Sequence, residues 1–155
     1  MVETDMADRP VQILLVEDSP GDVILTTRAL EQSGVRHDLH VVRDGAQALD
    51  FIHRRGDHSD VPRPDLILLD LNLPKRHGHE VLGNIKADDD LKRIPVLVLT
   101  GSQRDADVLE SYDLHANGFL GKPVAVDQFL RVIGELDELS LTMMKLPWHR
   151  GDLRD

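Results

Sequence analysis

Short apolar runs recur along the chain, and each is followed by polar residues. In one example, four apolar residues, Leu66 to Leu69, run directly into Asp70, with Pro64 before the run and Pro74 after it. A continuous apolar run bounded by prolines is typical of a strand that is covered on both faces of a parallel sheet. Similar runs predict four further strands, at residues 11–16, 37–43, 95–100 and 118–121.

Stretches with helical spacing separate these runs. Ser19 and Pro20 are an N-cap residue and a first-turn proline, and Gly34 closes the same segment, so the first helix is expected to span Pro20 to about Ser33. Its apolar face is expected to carry Val23, Thr27 and Leu30. Further helices are predicted through residues 46–52, from His77 to Ala87, through Val108, Leu109 and Tyr112, and through Phe129, Val132, Ile133 and Leu136.

Strands and helices alternate five times. With right-handed crossovers, this order predicts an α/β fold, a doubly wound five-stranded parallel sheet flanked by helices, of the flavodoxin-like kind. We expect one domain over residues 11–139, a flexible N-terminal tail at residues 1–10 and a C-terminal tail at residues 140–155. The apolar cluster at 141–148 is expected either to pack on the domain or to mediate self-association.

Composition narrows the function classes. The chain has 155 residues, 41% of them hydrophobic, a formal net charge of −10 and no cysteine. The charge argues against nucleic-acid binding, and the lack of cysteine excludes disulfides and thiolate metal sites. No apolar run is long enough to span a membrane, and the polar N-terminus lacks a signal-peptide pattern. A cytoplasmic protein without membrane or nucleic-acid partners is expected.

Polar residues of specific types follow four of the predicted strands. Glu17 and Asp18 follow the first strand, Asp70 ends the third, Thr100 ends the fourth and Lys122 follows the fifth. The carboxyl ends of parallel strands lie at one edge of the sheet, where ligands bind in open α/β folds. Three carboxylates so close would repel one another unless a cation joined them. Oxygen ligands of this kind suit Mg²⁺.

The same edge offers the other groups that phosphoryl transfer needs. The backbone carbonyl of Asn72 can reach the same ion, and Lys122 can pair with Asp70 or with oxygens attached to it. The Thr100 hydroxyl can donate to such an oxygen, and Gly101 leaves room for its approach. A carboxylate can act as a nucleophile and form an acyl phosphate, with Mg²⁺ neutralising the phosphoryl oxygens.

The motifs at these positions identify a family resemblance. The stretches L-L-V-E-D, D-L-I-L-L-D-L-N-L-P, V-L-V-L-T and G-K-P together resemble the receiver domain of two-component response regulators. The resemblance covers residues 11–139, and the separations between Asp70, Thr100 and Lys122 are similar to those of the stand-alone chemotaxis regulator. It implies the receiver fold and a phosphoacceptor signalling protein that catalyses only its own phosphorylation and dephosphorylation.

A narrower similarity is to the cyanobacterial phytochrome-associated regulators, which are single-domain receivers without an output domain. It is carried by the loop at residues 54–64, by S-Y-D-L-H-A-N at 111–117 and by L-T-M-M-K-L-P at 141–147. This similarity implies a sensor histidine kinase as partner, of the phytochrome type, and output through a downstream protein. We expect a homodimer formed by the last strand, the last helix and the tail.

The resemblance also implies a role for each site residue. Asp70 would be the phosphoacceptor. The Mg²⁺ ligands would be Glu17, Asp18, Asp70 and the carbonyl of Asn72, and the residues that engage the phosphoryl group would be Thr100 and Lys122.

The resemblance also has implications for three further positions. Phe119 falls at the aromatic switch position and, being Phe rather than Tyr, would act by packing alone. The Lys122–Pro123 peptide bond is expected to be cis. His77 stands where many receivers have an Asp before the glycine, which should alter the turn rather than the chemistry. Ordinary core packing of Phe119, without switching, is the alternative.

Other charged and histidine-rich segments are expected to be plain surface. His77 and His79 are two residues apart and should not share a helix face, so they are not expected to bind a metal together. The run Asp88 to Asp90 is expected to be a solvated helix end.

Two other functions remain open from the sequence. A degenerate receiver would bind partners without phosphorylation, but it would lack an acid or the lysine. An aspartate-nucleophile phosphohydrolase would need a second acid where this chain has Asn72. A phosphate sink without a downstream target shares the same chemistry as a signalling receiver.

Overall fold

A computed structural model describes residues 9–73, 77–101, 104–111 and 113–136. Strands and helices alternate along the chain, as the apolar pattern predicts, and short 3₁₀ turns lie at Gly56–His58 and Leu91–Arg93. The elements are β1 (Val11–Val16), α1 (Pro20–Gln32), β2 (His37–Val42), α2 (Gly45–Ile52), β3 (Leu66–Asp70), α3 (Gly78–Ala87), β4 (Val96–Thr100), α4 (Arg104–Ser111), β5 (Gly118–Gly121) and α5 (Val126–Gly134).

The five strands form one parallel sheet in the order β2-β1-β3-β4-β5. The order reverses between β1 and β3, so their carboxyl ends flank the switch point at which ligands bind in doubly wound folds. The register pairs Val16 with Leu69 across β1 and β3, and Asp70 with Leu99 across β3 and β4. The predicted flavodoxin-like architecture is confirmed.

The continuous apolar run of β3 is explained by its two covered faces. Leu66 and Leu68 pack into the layer that contains α1 and α5, around Phe129. Ile67 and Leu69 pack into the opposite layer, with α2, α3 and α4. Because successive side chains of a strand point to opposite faces, a strand covered on both sides needs an apolar residue at every position.

The buried face of α1 includes part of the predicted one. Its buried residues are Thr26, Ala29 and Leu30. Thr27 is only half-buried, and its Oγ1 donates to the carbonyl of Val23 at 2.7 Å. Leu30 is buried and Val23 packs against the same core, as predicted, whereas Thr27 lies at the margin of this face.

The acidic run after α3 is a largely exposed helix end, as predicted, and its backbone forms an organised turn. Asp88 Oδ1 accepts from the backbone N–H groups of Asp90 and Leu91, at 2.8 and 3.0 Å. These bonds, that of Leu91 first, lower the pKa of Asp88. Arg63 Nη1 donates to Asp90 Oδ2 at 2.8 Å, which ties the polar loop after α2 to this turn.

The two histidines at the start of α3 face each other. His77 is the N-cap and so precedes the helix, and its ring stacks on that of His79 with centroids 5.6 Å apart. Its backbone N–H donates to Glu80 Oε1 at 3.0 Å. Side chains two residues apart point to different faces inside a helix. His77 lies before the helix, so its ring can reach that of His79.

Several expectations lie outside the described residues. They are the N-terminal tail up to residue 8, the position of Tyr112 and residues 137–155, which include the predicted apolar cluster at 141–148. In the described part of the chain, no helix has the length and apolar character needed to cross a bilayer.

Gly78 allows α3 to begin directly against the end of β3. Its N–H donates to the carbonyl of Leu71 at 3.0 Å, and a Cβ at residue 78 would meet the Leu71 backbone and lie 2.6 Å from the Asp70 carbonyl oxygen. We expect Gly78→Ala to lower the free energy of unfolding by about 1–3 kcal/mol, because the backbone must move apart. Urea unfolding measures this.

Gly83 in the same helix is the matched control. A Cβ there would meet only the Leu114 side chain, at 3.8 Å, which is ordinary contact. Gly83→Ala should therefore stabilise the protein by about 0.5–1 kcal/mol through helix propensity. Equal effects of the two substitutions would contradict the close approach at Gly78.

Candidate functional site

The carboxyl edge of the sheet brings together the polar residues that follow its strands. Asp70 is the last residue of β3 and Thr100 the last of β4, while Glu17 and Lys122 directly follow β1 and β5. Each strand is held in register with its neighbour, so these residues reach the edge at similar heights. Glu17 and Asp70 are buried, with 0% and 3% of their surface exposed.

Lys122 lies against both buried carboxylates. Its Nζ donates to Asp70 Oδ2 at 2.8 Å and lies 3.1 Å from Glu17 Oε1. A buried carboxylate is costly unless it is paired, and here one ammonium serves two. The Lys122 ammonium therefore compensates negative charge on the Glu17 and Asp70 carboxylates.

Backbone donors hold the remaining carboxylate oxygens. The N–H of Asn72 donates to Asp70 Oδ1 at 3.0 Å, and the N–H of Ser19 donates to Glu17 Oε2 at 3.3 Å. Glu17 Oε1 is fully buried and makes no hydrogen bond to any described residue, although it is within ion-pair distance of Lys122. The distance satisfies an ion pair, but the angle does not satisfy a hydrogen bond, so this oxygen keeps lone pairs for another cation.

Glu17 is the acid whose ionisation is most disturbed. Its pKa is raised from 4.5 to about 7, chiefly by burial and then by the neighbouring Asp70 carboxylate, against the opposing effect of Lys122. Two carboxylates that share one ammonium cannot both ionise freely. Without a further cation, Glu17 holds its proton up to about neutral pH.

The pKa of Lys122 is raised, which favours the charged ammonium. Burial alone would lower it, but the hydrogen bond to Asp70 and the charges of Asp70 and Glu17 raise it above its ordinary value of 10.5. The lysine therefore stays charged at any physiological pH.

Three carboxylates are placed to hold a metal ion. One oxygen each from Glu17, Asp18 and Asp70 lies within 4.8 Å of the others, and Asp18 is exposed whereas its two partners are buried. Carboxylate oxygens, an exposed opening and the unsatisfied Glu17 Oε1 together fit a hard divalent cation. Asn72, the fourth predicted ligand, is exposed beside the cluster, where its N–H bonds to Asp70.

Thr100 and Gly101 border the same cluster. The Lys122 N–H donates to the Thr100 carbonyl at 3.0 Å, so the backbone of β4 positions the lysine directly. A Cβ at Gly101 would meet nothing within 4 Å, which leaves open space beside the site. Phe119, on the neighbouring strand β5, has 37% of its surface exposed and so lies outward. The Lys122–Pro123 peptide bond is cis.

Asp22 is a residue that the sequence analysis missed. It lies in the first turn of α1, and its Oδ2 is 3.4 Å from Lys122 Nζ. Ser19 is the N-cap of α1, and its Oγ accepts from the backbone N–H of Asp22 at 3.3 Å, so this cap directs the first turn over the sheet edge. An acidic residue one turn after an acidic strand end is the signal that could have found it.

Comparison with known proteins agrees with this geometry. Response regulator Rcp1 of Synechocystis sp. is 44% identical over 144 residues, which cover 93% of this chain and 98% of Rcp1. Two solved structures are also similar. The Mn²⁺-bound form of Rcp1 has a TM-score of 0.68 and 50% identity, and covers 79% of this chain and 89% of that one. The phosphorylated cyanobacterial phytochrome response regulator RcpA has a TM-score of 0.70 and 44% identity, and covers 86% and 95%.

The family comparison spans most of the chain. The family described as the response regulator receiver domain matches residues 13–134, which run from β1 to the end of α5. The match includes both acids after β1, Asp70, Thr100 and Lys122. The chain therefore belongs to the response regulator receiver-domain family.

Proposed function

We propose that this receiver accepts a phosphoryl group on Asp70 from a sensor histidine kinase, or from a small phosphodonor, in a Mg²⁺-dependent reaction. The proposal is supported above all by the placement of Asp70, buried at the end of β3 between the Lys122 ammonium and the Asn72 N–H and beside two further acids. Phosphorylation would then change the contacts that the protein makes with other proteins.

The reaction follows from the groups at the edge. An Asp70 carboxylate oxygen attacks the phosphorus of the donor, and the bond from phosphorus to the leaving group breaks, so an acyl phosphate forms on the protein. Lys122, already 2.8 Å from Asp70 Oδ2, pairs with the oxygens of the incoming group. The Thr100 hydroxyl donates to one of the same oxygens.

The metal is assigned to Mg²⁺ from the donor set. Glu17, Asp18 and Asp70 offer carboxylate oxygens only, and the Asn72 carbonyl adds a fourth oxygen. Mn²⁺, which the similar Rcp1 structure contains, prefers the same oxygen ligands. When bound, the ion neutralises charge on the phosphoryl oxygens. The raised pKa of Glu17 supports this assignment, since it comes chiefly from burial and secondly from the Asp70 carboxylate, and a cation would offset both.

The response to phosphorylation would pass through Thr100 and Phe119. New negative charge on Asp70 draws the Thr100 hydroxyl inward, and the space it leaves admits the Phe119 ring from its exposed position. The surface formed by α4 and β5 then changes. This is a two-state element biased by a local change in charge.

The partners follow from the similarity to phytochrome-associated regulators. Rcp1 and RcpA support a phytochrome-type histidine kinase as the phosphodonor. With a net charge of −10, output by binding a downstream protein in the cytoplasm is more consistent than binding to nucleic acid or membrane. Homodimerisation through β5, α5 and residues 140–155 belongs to the same proposal.

The two rival functions have less support from the site. A degenerate receiver would lack an acid or the lysine, whereas Glu17, Asp70 and Lys122 are brought into contact here. A phosphohydrolase for external substrates would use a second acid two residues after the nucleophile, and Asn72 occupies that position. We therefore infer that the protein acts on its own acyl phosphate only.

The proposed acceptor can be tested by mass. Incubation with acetyl phosphate and Mg²⁺ should add a single phosphoryl group, seen by intact-protein mass spectrometry, because Asp70 is the nucleophile within the acidic cluster. Asp70→Asn removes the nucleophile at nearly constant shape and should give no adduct. EDTA should also prevent it.

Two outcomes would contradict the assignment. An adduct that persists in Asp70→Asn would place the acceptor elsewhere. If neither an adduct nor Mg²⁺ binding is found, and beryllofluoride does not bind, the degenerate receiver is favoured.

The raised pKa of Glu17 predicts the pH dependence of the metal-free protein. Between about 4.5 and about 7 the folded state keeps the Glu17 proton while the unfolded chain loses it, so the free energy of unfolding falls as pH rises through this interval. Urea unfolding in EDTA, at about pH 5.5 and about pH 8, should show lower stability at the higher pH.

Glu17→Gln provides the control for that measurement. It keeps the shape of Glu17 without an ionisable group, and so the loss of stability between the two pH values should largely disappear. Equal losses in the wild type and in Glu17→Gln would contradict the pKa assignment.

The position of Phe119 gives a test of the switch. The chain contains three phenylalanines, of which Phe51 and Phe129 are buried, at 3% and 0% exposure, and Phe119 is exposed. The protein is labelled with 4-fluorophenylalanine, and the relaxation of each ¹⁹F signal by a soluble paramagnetic agent is measured. When beryllofluoride and Mg²⁺ are added, this relaxation should decrease for the Phe119 signal only. Phe119→Leu assigns the signal.

Thr100→Val tests the coupling in this switch. It keeps the shape of Thr100 but cannot donate to the phosphoryl mimic, so Phe119 should stay exposed in this variant. Protection of Phe119 that is unchanged in Thr100→Val would mean that the ring moves independently of Thr100.

A further inference from the structure

Lys122 contacts three carboxylates, and its contact with Asp22 has no part in the phosphoryl transfer proposed above. Its Nζ lies 2.8 Å from Asp70 Oδ2, 3.1 Å from Glu17 Oε1 and 3.4 Å from Asp22 Oδ2. The ammonium donates hydrogen bonds to Asp70 and Asp22 and forms an ion pair with Glu17. Asp22 comes from α1 and lies 100 residues before the lysine.

The three carboxylates differ in what else they can bind. Glu17 and Asp70 belong to the group of oxygens that lie within 4.8 Å of one another and fit a divalent cation, and Asp22 does not. Asp22 is also nearer to solvent, with 36% of its side chain exposed against 0% for Glu17 and 5% for Asp70. It is therefore a partner of the lysine outside the metal cluster.

The ammonium and a metal ion would bind to the same two carboxylates, Glu17 and Asp70. Asp70 Oδ2 and Glu17 Oε1, the two nearest partners of Lys122, are on carboxylates that the cation would also use. When the metal binds, the lysine has to give up part of these contacts. A half-buried ammonium without an alternative acceptor would oppose this change, because its desolvation would no longer be compensated.

We propose that Asp22 is a positioning residue that holds the Lys122 ammonium at the mouth of the site while the metal takes Glu17 and Asp70. Asp22 thereby favours metal entry and keeps the lysine within reach of the phosphoryl group. This inference rests on the proposed Mg²⁺-dependent function and adds a residue from α1 to it.

The first test is the affinity for Mg²⁺ itself. Asp22→Asn keeps the shape of the side chain, and the backbone bond from residue 22 to Ser19 Oγ that caps α1 does not involve it. We expect a Kd for Mg²⁺ raised by about two- to fivefold, measured by amide chemical-shift titration. The matched control is Glu31→Gln, which removes an exposed charge at the other end of α1 and should leave the Kd unchanged.

A double-mutant cycle shows whether Asp22 acts through Lys122. In the Lys122→Met background the effect of Asp22→Asn on the Kd should disappear, since there is no ammonium to hold. An equal increase of the Kd in both backgrounds would mean that Asp22 attracts the ion directly, and this would overturn the proposal. No effect of Asp22→Asn in the wild-type background would overturn it as well.

A second measurement avoids variants at position 122, where the loss of the buried cation could prevent folding. The ¹⁵N-labelled ammonium of Lys122 can be followed by NMR during the addition of Mg²⁺. In the wild type its protons should stay protected from exchange with water when Mg²⁺ is bound, whereas in Asp22→Asn they should exchange faster. Equal protection in both proteins with Mg²⁺ bound would overturn the proposal.

The two levels of inference fail in different ways. If the wild type binds no Mg²⁺ and gives no phosphoryl adduct, the proposed function itself fails. If the wild type binds Mg²⁺ and is phosphorylated, but Asp22→Asn changes neither the Kd nor the Lys122 signal, only the role of Asp22 fails.

Discussion

The contact between the Lys122 ammonium and two buried carboxylates governs the carboxyl edge of the sheet. Glu17 and Asp70 are almost fully removed from water, and neither could stay charged there without a cation. The lysine that meets them follows β5, a strand of only four residues at the edge of the sheet. Pairing of β5 with β4 therefore has an electrostatic consequence, because it brings the cation to two acids that follow other strands.

The rest of the fold serves to hold this edge in place. Strand β3 is covered on both faces and buried at every position, so Asp70 lies at the end of a strand inside the core. The hydrogen bond from the Lys122 N–H to the Thr100 carbonyl couples the lysine to the end of β4. Because the strands are parallel and in register, the acids and Thr100 reach the site with short side chains, and only Lys122 reaches it with a long flexible one. That one flexible side chain can move between acceptors when a metal or a phosphoryl group arrives.

The metal-free site lacks enough positive charge and hydrogen-bond donors for its buried carboxylates. Burial and the nearby Asp70 raise the pKa of Glu17 to about 7, although Lys122 opposes the change. Glu17 Oε1 is buried without a hydrogen bond to any residue in the described ranges. Such a site favours the arrival of positive charge, and negative charge added to Asp70 has to be compensated by nearby donors. A small chemical change at this point can therefore alter the balance between two conformations.

The sequence by itself determined the alternation of strands and helices, the parallel sheet and the set of acids, threonine and lysine after the strands. These features are local, since apolar periodicity and residues at strand ends can be recognised within a few positions. The tertiary structure alone decided the burial of Thr26 and Ala29 on α1, the stacking of His77 on His79 and the contact of Asp22 with Lys122. It also decided the disturbed pKa of Glu17. Such features depend on how helices cross the sheet and on distances between groups far apart in the chain, and no local pattern encodes those distances.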